Sequence, residues 1–430
     1  MFSFFYNSAL FVLGLFTFPK LLWQWLVVGK YRASIKERLG LTLPQLPSDA
    51  PHPIIWIHTV SVGETRAVIP LYKKIRRELP IATIVVSSVT ETGHAEALKS
   101  LPDAKAHFFL PLDFSWVIRK VVQNLRPDVL ILVESDFWYH LLSETKKSGC
   151  NVVLVNGKIS ERSAKRFSLL KFFAKKLFSQ LDVLCVQSQR FKDRFLALGI
   201  PSEKIKVSGN LKLDAVTQKL SPEQLLDFKN DLGISPQDCV LVIGSTHDPE
   251  EDQLLDALQP VWEILPQLKA LIVPRHPERF DLVAKLIQQK DIPYLRYSKK
   301  EQKTGNERVI LIDTMGLLHK CYQLADLAIV AGSFTDKVGG HNIFEPVECG
   351  VPVLFGPHMF GQPDLTEIVL NGKAGIQTSL QDLPSHILNL LQNSAKHKEI
   401  SQAAVSLSQD VHGVTQRTWD AIFPFIKLGK

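Results

Sequence analysis

Short apolar runs rich in Val, Ile and Leu alternate with amphipathic stretches along almost the whole chain. The first set of runs is Ile54–His58, Ile81–Ser87, Phe108–Leu112, Val129–Val133, Val152–Val155 and Val183–Val186. The second is Val240–Ile243, Ala270–Val273, Val309–Ile312, Leu327–Val330 and Val351–Phe355. Near-continuous apolar strands separated by helices predict parallel sheets covered on both faces. Two sets predict two Rossmann-like domains, and ligands of such sheets bind at the C-terminal ends of the strands, here in a cleft faced by both domains. The intervening Val207–Pro236 is polar and carries Gly209, Ser221-Pro222 and Ser235-Pro236. The expected boundaries are an anchor over 1–30, a first domain over 31–208, a linker over 209–236, a second domain over 237–414, and a terminal helix over 415–430 that can return to the first domain.

The anchor is read from Phe2–Pro19, which has no charged residue and is followed by Lys20, Lys30, Arg32, Lys36 and Arg38. As helix it is about 27 Å long, close to the ~30 Å of a bilayer core. With no basic residue before it and no small-residue cleavage site after it, it is expected to remain uncleaved. The basic flank places the rest of the chain on the cytoplasmic side of the membrane. A second membrane-facing element is expected where Lys158, Arg162, Lys165, Arg166, Lys171, Lys175 and Lys176 interleave with Phe167, Leu169, Leu170, Phe172, Phe173, Leu177 and Phe178. Basic helices rich in Phe and Leu attract anionic headgroups, although a solvated charged face over core phenylalanines gives the same pattern.

At 430 residues, 45% hydrophobic and 22% charged, the composition is globular, and the length itself favours two cores. The net charge of +7 favours acidic partners, but no nucleic-acid-binding signature accompanies it. The five cysteines are scattered and never form a Cys-x-x-Cys, as expected of reduced residues.

Candidate chemistry lies at the strand ends. The first strand runs into Thr59-Val-Ser-Val-Gly-Glu64. Ser61 and Glu64 have capping-box spacing, a purely structural role. The same geometry suits a general base, with Gly63 admitting a ligand and the helix dipole keeping Glu64 ionised. Glu134 and Asp136 end the fourth run; they resemble an Asp-x-Asp metal motif, but without a third ligand they suit acceptor binding or orientation of the base better. In the second set, Gly244-Ser-Thr-His247 and Pro274-Arg-His276 put polar and basic groups at strand ends. Ser333–Glu348 adds Gly339-Gly340 and then Asn342-x-x-Glu-Pro, a loop whose N–H groups can meet a phosphate while Glu345 meets ribose hydroxyls. An ordinary βα turn is the alternative.

Together, Thr-Val-Ser-Val-Gly-Glu64, Glu134-Ser-Asp-Phe-Trp138, Asn156-x-x-x-Ser-Glu-Arg162, Gly209-Asn-Leu-Lys212, Gly244-Ser-Thr-His247, Pro274-Arg-His-Pro-Glu-Arg279 and Gly339-Gly-His-Asn-x-x-Glu-Pro346 resemble, in order, the 3-deoxy-D-manno-octulosonic acid (Kdo) transferases of lipopolysaccharide synthesis. The resemblance covers essentially the whole chain. It implies a GT-B fold and inverting transfer of Kdo from CMP-Kdo to a lipid A precursor, lipid IVA, at the inner membrane, with CMP released and no metal cofactor. It implies Glu64 as catalytic base, with Ser61, Gly63, Glu134, Asp136, Lys158 and Arg162 on the acceptor side. The donor residues it implies are Lys212, Ser245, Thr246, His247, Arg275, His276, Gly339, Gly340, Asn342 and Glu345. Asp136 stands where the family commonly has Glu, and Ile343-Phe344 replaces a smaller Pro-Leu. Competing readings are a UDP-sugar transferase or epimerase and a non-catalytic sensor of the same fold.

Overall fold

The computed structural model describes residues 2–29, 32, 34–214 and 219–426; Lys30 of the basic flank, residues 215–218 of the expected linker, and Lys427 and Leu428 of the expected terminal helix lie outside this set. The chain divides into two compact units, Met1–Val216 with His412–Lys430, and Thr217–Val411.

Unit 1 is built on β1 (Ile54–Thr59), β2 (Thr83–Ser88), β3 (Ala106–Phe109), β4 (Val129–Val133), β5 (Asn151–Gly157), β6 (Val183–Val186) and β7 (Ile205–Val207). They form one parallel sheet in the order β3-β2-β1-β4-β5-β6-β7. β1, β2 and β4 are buried along their whole length because helices cover both faces. Leu130, Leu132, Val152 and Leu154 point into one core with Phe178 and Phe195. Ile131, Val133, Val153 and Val155 point into the other, where they meet Leu71, Ile75 and the terminal residues Val414, Trp419 and Ile422. Each such side chain contributes roughly 1.5–3 kcal/mol on burial, so two dry faces fix the alternation of these strands. The strand order reverses between β1 and β4, which opens the crevice where ligands of such sheets sit.

Unit 2 repeats the plan with β8 (Cys239–Thr246), β9 (Leu268–Pro274), β10 (Tyr294–Arg296), β11 (Val309–Leu311), β12 (Leu327–Val330), β13 (Val353–Phe355) and β14 (Gly375–Gln377). The parallel order is β10-β11-β9-β8-β12-β13-β14, with the reversal between β8 and β12.

The division between the units falls within the expected 209–236 stretch, and both that stretch and the basic one carry definite secondary structure. The 209–236 stretch is not a bare linker. Leu211–Asp214 forms a 3-10 turn whose Leu211 is buried in unit 1, and Pro222–Asp231 is a helix of unit 2. The Ser221-Pro222 pair that read as loop punctuation is a capping box with proline in the first turn. The basic stretch is likewise two helices, Glu161–Leu169 and Lys171–Phe178, broken at Leu170. Ala174, Leu177 and Phe178 pack inward, while Leu169, Leu170 and Phe172 remain exposed.

The first helix, Phe2–Trp23, continues as a π-helical turn, Gln24–Val28. Among the described residues its Phe2–Lys20 stretch is the one helix long and apolar enough to cross a membrane.

Candidate active site

In unit 1 the loop after β1 is pinned from several sides. Thr90 donates its hydroxyl to the Val60 carbonyl at 2.7 Å, and its N–H reaches the same oxygen at 3.0 Å. Thr65 donates to the Ser61 carbonyl at 3.1 Å. Gly93, in the helix Glu91–Ser100, lies so close that a Cβ there would meet the Val60 carbonyl oxygen at 2.9 Å and Ser61 Cα at 3.1 Å. Ser61 is the N-cap of the helix Val62–Glu78 and accepts the Glu64 N–H at 3.5 Å. The reverse arm of a capping box is displaced by one residue: Glu64 Oε2 accepts from Val60 N–H, at 2.6 Å. Gly63 is not demanded by packing, since a Cβ there would meet only Lys212 Nζ and Ser61 Oγ, each at 3.9 Å. Its bare edge leaves room beside the Lys212 ammonium.

The helix dipole was expected to keep Glu64 ionised at neutral pH. Instead, burial pushes its carboxyl up to about 7, aided by the Glu134 and Asp136 charges and opposed by the Val60 N–H and His58. Desolvation outweighs a helix-end effect. A base titrating near neutrality is well matched to taking a hydroxyl proton.

Glu134 and Asp136 leave the end of β4 toward different partners. Glu134, in the left-handed region at φ 67, is buried between Lys158 Nζ at 2.5 Å and Lys212 Nζ at 3.1 Å, and accepts from Asn156 Nδ2 at 3.3 Å. Asp136 instead meets His58 Nε2 at 2.9 Å and Trp138 Nε1 at 2.8 Å. Behind it, Ser87 Oγ lies 2.8 Å from His58 Nδ1 and accepts from Trp56 Nε1 at 2.8 Å. The chain Trp56–Ser87–His58–Asp136 favours a proton on His58 Nε2 facing the carboxylate. Among the described residues, no cluster of three or more His, Cys, Asp or Glu is arranged to hold a metal ion. Arg162 is exposed in the first turn of its helix and takes no part in the Glu134 cluster. Lys212, expected among the donor residues, belongs to unit 1 and lies on Glu134.

In unit 2 the loop after β8 is organised by two buried acids. Glu250 accepts the N–H groups of Gly332 at 2.7 Å, Phe334 at 2.9 Å and His247 at 3.2 Å, so it joins the ends of β8 and β12. Glu251 takes Thr246 Oγ1 at 3.0 Å and holds Arg279 through Nε at 3.2 Å and Nη2 at 2.9 Å. Ser245 is in the left-handed region at φ 59, where the β8–β9 register shifts.

This leaves Arg275 and His276 exposed at the end of β9, with the His276 ring 5.3 Å from that of His247. His247 Nε2 is 2.7 Å from His341 Nε2, and the two rings are stacked. Burial lowers both histidines, His341 to about 4, with neighbouring cationic groups acting in the same direction. Glu345 is the second residue of the five-residue helix Phe344–Glu348. Its half-buried carboxylate accepts from Asn342 Nδ2 at 3.3 Å; burial raises its pKa, while Asn342 and the Arg275 charge pull it down.

Gly339 and Gly340 take φ values of 90 and 84, and a Cβ on either would collide with Phe360 or Met359. Gly340 N–H donates to the Gly332 carbonyl at 2.7 Å, so it is committed within the loop rather than turned toward a phosphate.

His58, Asn156, Glu250 and His341 were not among the site residues expected from the sequence, although Asn156 and His341 fall within its motifs. His341 had the clearest signal, flanked by the glycine pair and Asn342. His58 looked like the polar end of an apolar strand.

Two parallel α/β units of this order, each with polar residues at its sheet's reversal point, define a GT-B glycosyltransferase fold. The fold likeness extends to the UDP-GlcNAc 2-epimerase of Neisseria meningitidis, with a TM-score of 0.60 at 11% identity over 86% of this chain and 100% of that one. Residues 33–215 match the family described as 3-deoxy-D-manno-octulosonic-acid transferase (kdotransferase). The chain is 35% identical to the 3-deoxy-D-manno-octulosonic acid transferase of Chlamydophila psittaci over 100% of its length and 98% of the relative's. It is 30% identical to the enzyme of the same name from Haemophilus influenzae, over 93% of this chain and 92% of that one. The chain belongs to the Kdo transferase family and is a glycosyltransferase.

Proposed function

We propose that this protein transfers Kdo with inversion from CMP-Kdo to a lipid A precursor, lipid IVA, during lipopolysaccharide core assembly on the cytoplasmic face of the inner membrane. The observation that carries the mechanism is the Glu64 carboxylate, held by Val60 N–H at the end of β1 and titrating near neutrality. An acceptor hydroxyl oxygen bonds to the anomeric carbon of Kdo while the bond from that carbon to the phosphate oxygen breaks. The hydroxyl proton goes to Glu64, and the bonding pair leaves with CMP. Lys158 and Lys212 each pair with one oxygen of Glu134, so the proton finds Glu64 as its acceptor.

In unit 2, Arg275 and the Ser245–His247 loop meet the phosphate, and Glu345 meets the ribose hydroxyls. A planar guanidinium gives an oxyanion geometry as well as charge, which suits a leaving phosphate. The proposal assigns no metal and no other cofactor. Exposed Leu169, Leu170 and Phe172 beside basic residues support an acceptor presented from a lipid surface.

Mass spectrometry of products tests this reading. Purified protein given CMP-Kdo and lipid IVA is expected to yield lipid IVA heavier by whole Kdo units, and CMP. Product from UDP-sugars with none from CMP-Kdo would replace the proposal with the UDP-sugar alternative.

A further inference from the structure

The two ends of the apolar first helix both bear on unit 1. At its start, the Phe2 ring lies 4.7 Å from Tyr139 and 5.9 Å from Phe173, with the Lys176 ammonium 4.5 Å from its centroid. One turn later the Tyr6 hydroxyl bonds to the buried Asp113 carboxylate. Asn7 then donates to Ser115 Oγ at 3.0 Å and accepts the Ser115 N–H at 3.3 Å.

After the helix the chain is again on the same unit. Glu37 Oε2 accepts the Phe109 N–H at 2.6 Å, the Arg38 carbonyl accepts the Leu112 N–H at 2.9 Å, and the Arg38 guanidinium donates to the Val89 carbonyl. Gly40 is packed on Val117, two residues from the Ser115 that holds Asn7. Between these attachments the helix from Ser8 to Val27 is about 30 Å long, and its large apolar side chains, Phe11, Leu15, Phe16 and Trp23 among them, are exposed.

A helix that crossed a bilayer from this starting point would deliver Gly29 to the far side of a ~30 Å core. The chain between Gly29 and Ser34 reaches at most about 18 Å. It cannot recross to place Ser34–Arg38 on the unit that already holds Phe2–Asn7. Yet a helix apolar on all sides needs a nonaqueous surrounding.

We propose that helix Phe2–Val28 is a monotopic anchor, embedded in one leaflet with both of its ends on the same side as unit 1. The exposed turn Leu169, Leu170 and Phe172 enters that same leaflet: Phe172 touches Phe2 at a ring distance of 6.0 Å, so the turn flanks the root of the helix. Exposed Lys165, Arg166, Lys171 and Lys175 border the turn and meet anionic headgroups.

The inference rests on the membrane attachment proposed above, and the test separates the two. A cysteine-bearing tag placed ahead of Met1 and, separately, Asp49→Cys are labelled with a membrane-impermeant maleimide, the parent chain giving the background. Both are expected to react in inside-out membrane vesicles and to stay unlabelled in intact spheroplasts. A tag that reacts in intact spheroplasts while Asp49→Cys does not would overturn the monotopic arrangement and leave attachment standing. Absence of the chain from the membrane fraction would overturn both. For the second contact, an environment-sensitive bimane on Leu170→Cys is expected to shift to the blue on adding phosphatidylethanolamine–phosphatidylglycerol vesicles, and on Asp49→Cys to stay unchanged. Equal responses would remove the 169–172 turn from the leaflet.

Discussion

Both units place a loop and a helix after the first strand of a parallel sheet, next to the point where strand order reverses, yet they fill that place with opposite chemistry. Unit 1 gathers Glu64, Glu134 and Asp136, with two lysines and His58 dividing the two downstream acids between them. Unit 2 gathers His247, His276, His341 and Arg275 over acids that serve as scaffold, Glu250 for backbone and Glu251 for Arg279. The consequence is a difference in proton appetite. Crowded, desolvated carboxylates hold protons more tightly, so Glu64 rises toward neutrality. Crowded, desolvated imidazoles lose them, so His247 and His341 are both lowered, and in the proposed mechanism a bound anion favours their charged forms. In the proposed mechanism one scaffold thus provides a proton acceptor in one copy and an anion receptor in the other.

The largest effect that can break this contrast is at Glu64. Glu64→Gln keeps shape and hydrogen bonding but removes the base, and kcat is expected to fall about 10²–10⁴-fold, with CMP affinity unchanged by calorimetry. An undiminished rate would remove Glu64 from its role. Next comes unit 2: Arg275→Ala is expected to weaken CMP binding by roughly 10–100-fold, the scale of a lost charge-assisted hydrogen bond. The acid limb of its pH profile should remain that of the wild type, because the groups that shift Glu64 are Val60, Glu134, His58 and Asp136, all of unit 1; a displaced limb would contradict the division of labour.

A subtler effect is the position of that limb. The base works ionised, so kcat/KM is expected to fall as pH drops through about 7 and to level off above it. Glu134→Gln removes a charge that holds Glu64 up and frees two ammonium groups that pull it down. Both changes move the limb to lower pH, and a shift to higher pH would show that Glu134 acts otherwise. The smallest effect is on stability. Gly63→Ala fills space that nothing in the protein occupies and removes a glycine from a helix, so stability should be equal or up to about 1 kcal/mol higher. The KM for the acceptor is nonetheless expected to rise, since the added methyl points toward Lys212.

Each of the eleven apolar runs overlaps a strand of the two sheets, because a strand buried on both faces has to be apolar throughout, although Phe108–Leu112 runs past the end of the edge strand β3 at Phe109. The missed strands, β7, β10 and β14, are three residues each and lie at or next to sheet edges, where exposure permits Lys206, Arg296 and Gln377. Glu64 stood out through Ser-x-x-Glu spacing after a strand. Its raised pKa did not, since that depends first on burial and then on Glu134 and Asp136, which come near it only in the folded sheet. The divergence of Glu134 from Asp136 was hidden for the same reason: one meets lysines after β5 and β7, the other a histidine at the end of β1. Glu250 and Glu251 sat in a run of ordinary helix-start acids, and only the return of β12 beside β8 makes one of them a hub.

The near-contact of Gly93 with the loop that carries Ser61 has a further result. Any larger residue at 93 would wedge the neighbouring helix away from Val60, and with Val60 would go the amide that steers the Glu64 carboxylate. The orientation of the Glu64 carboxylate is therefore set by packing within unit 1, independently of any bound sugar. Encounter with the acceptor then loses little freedom on the enzyme's side.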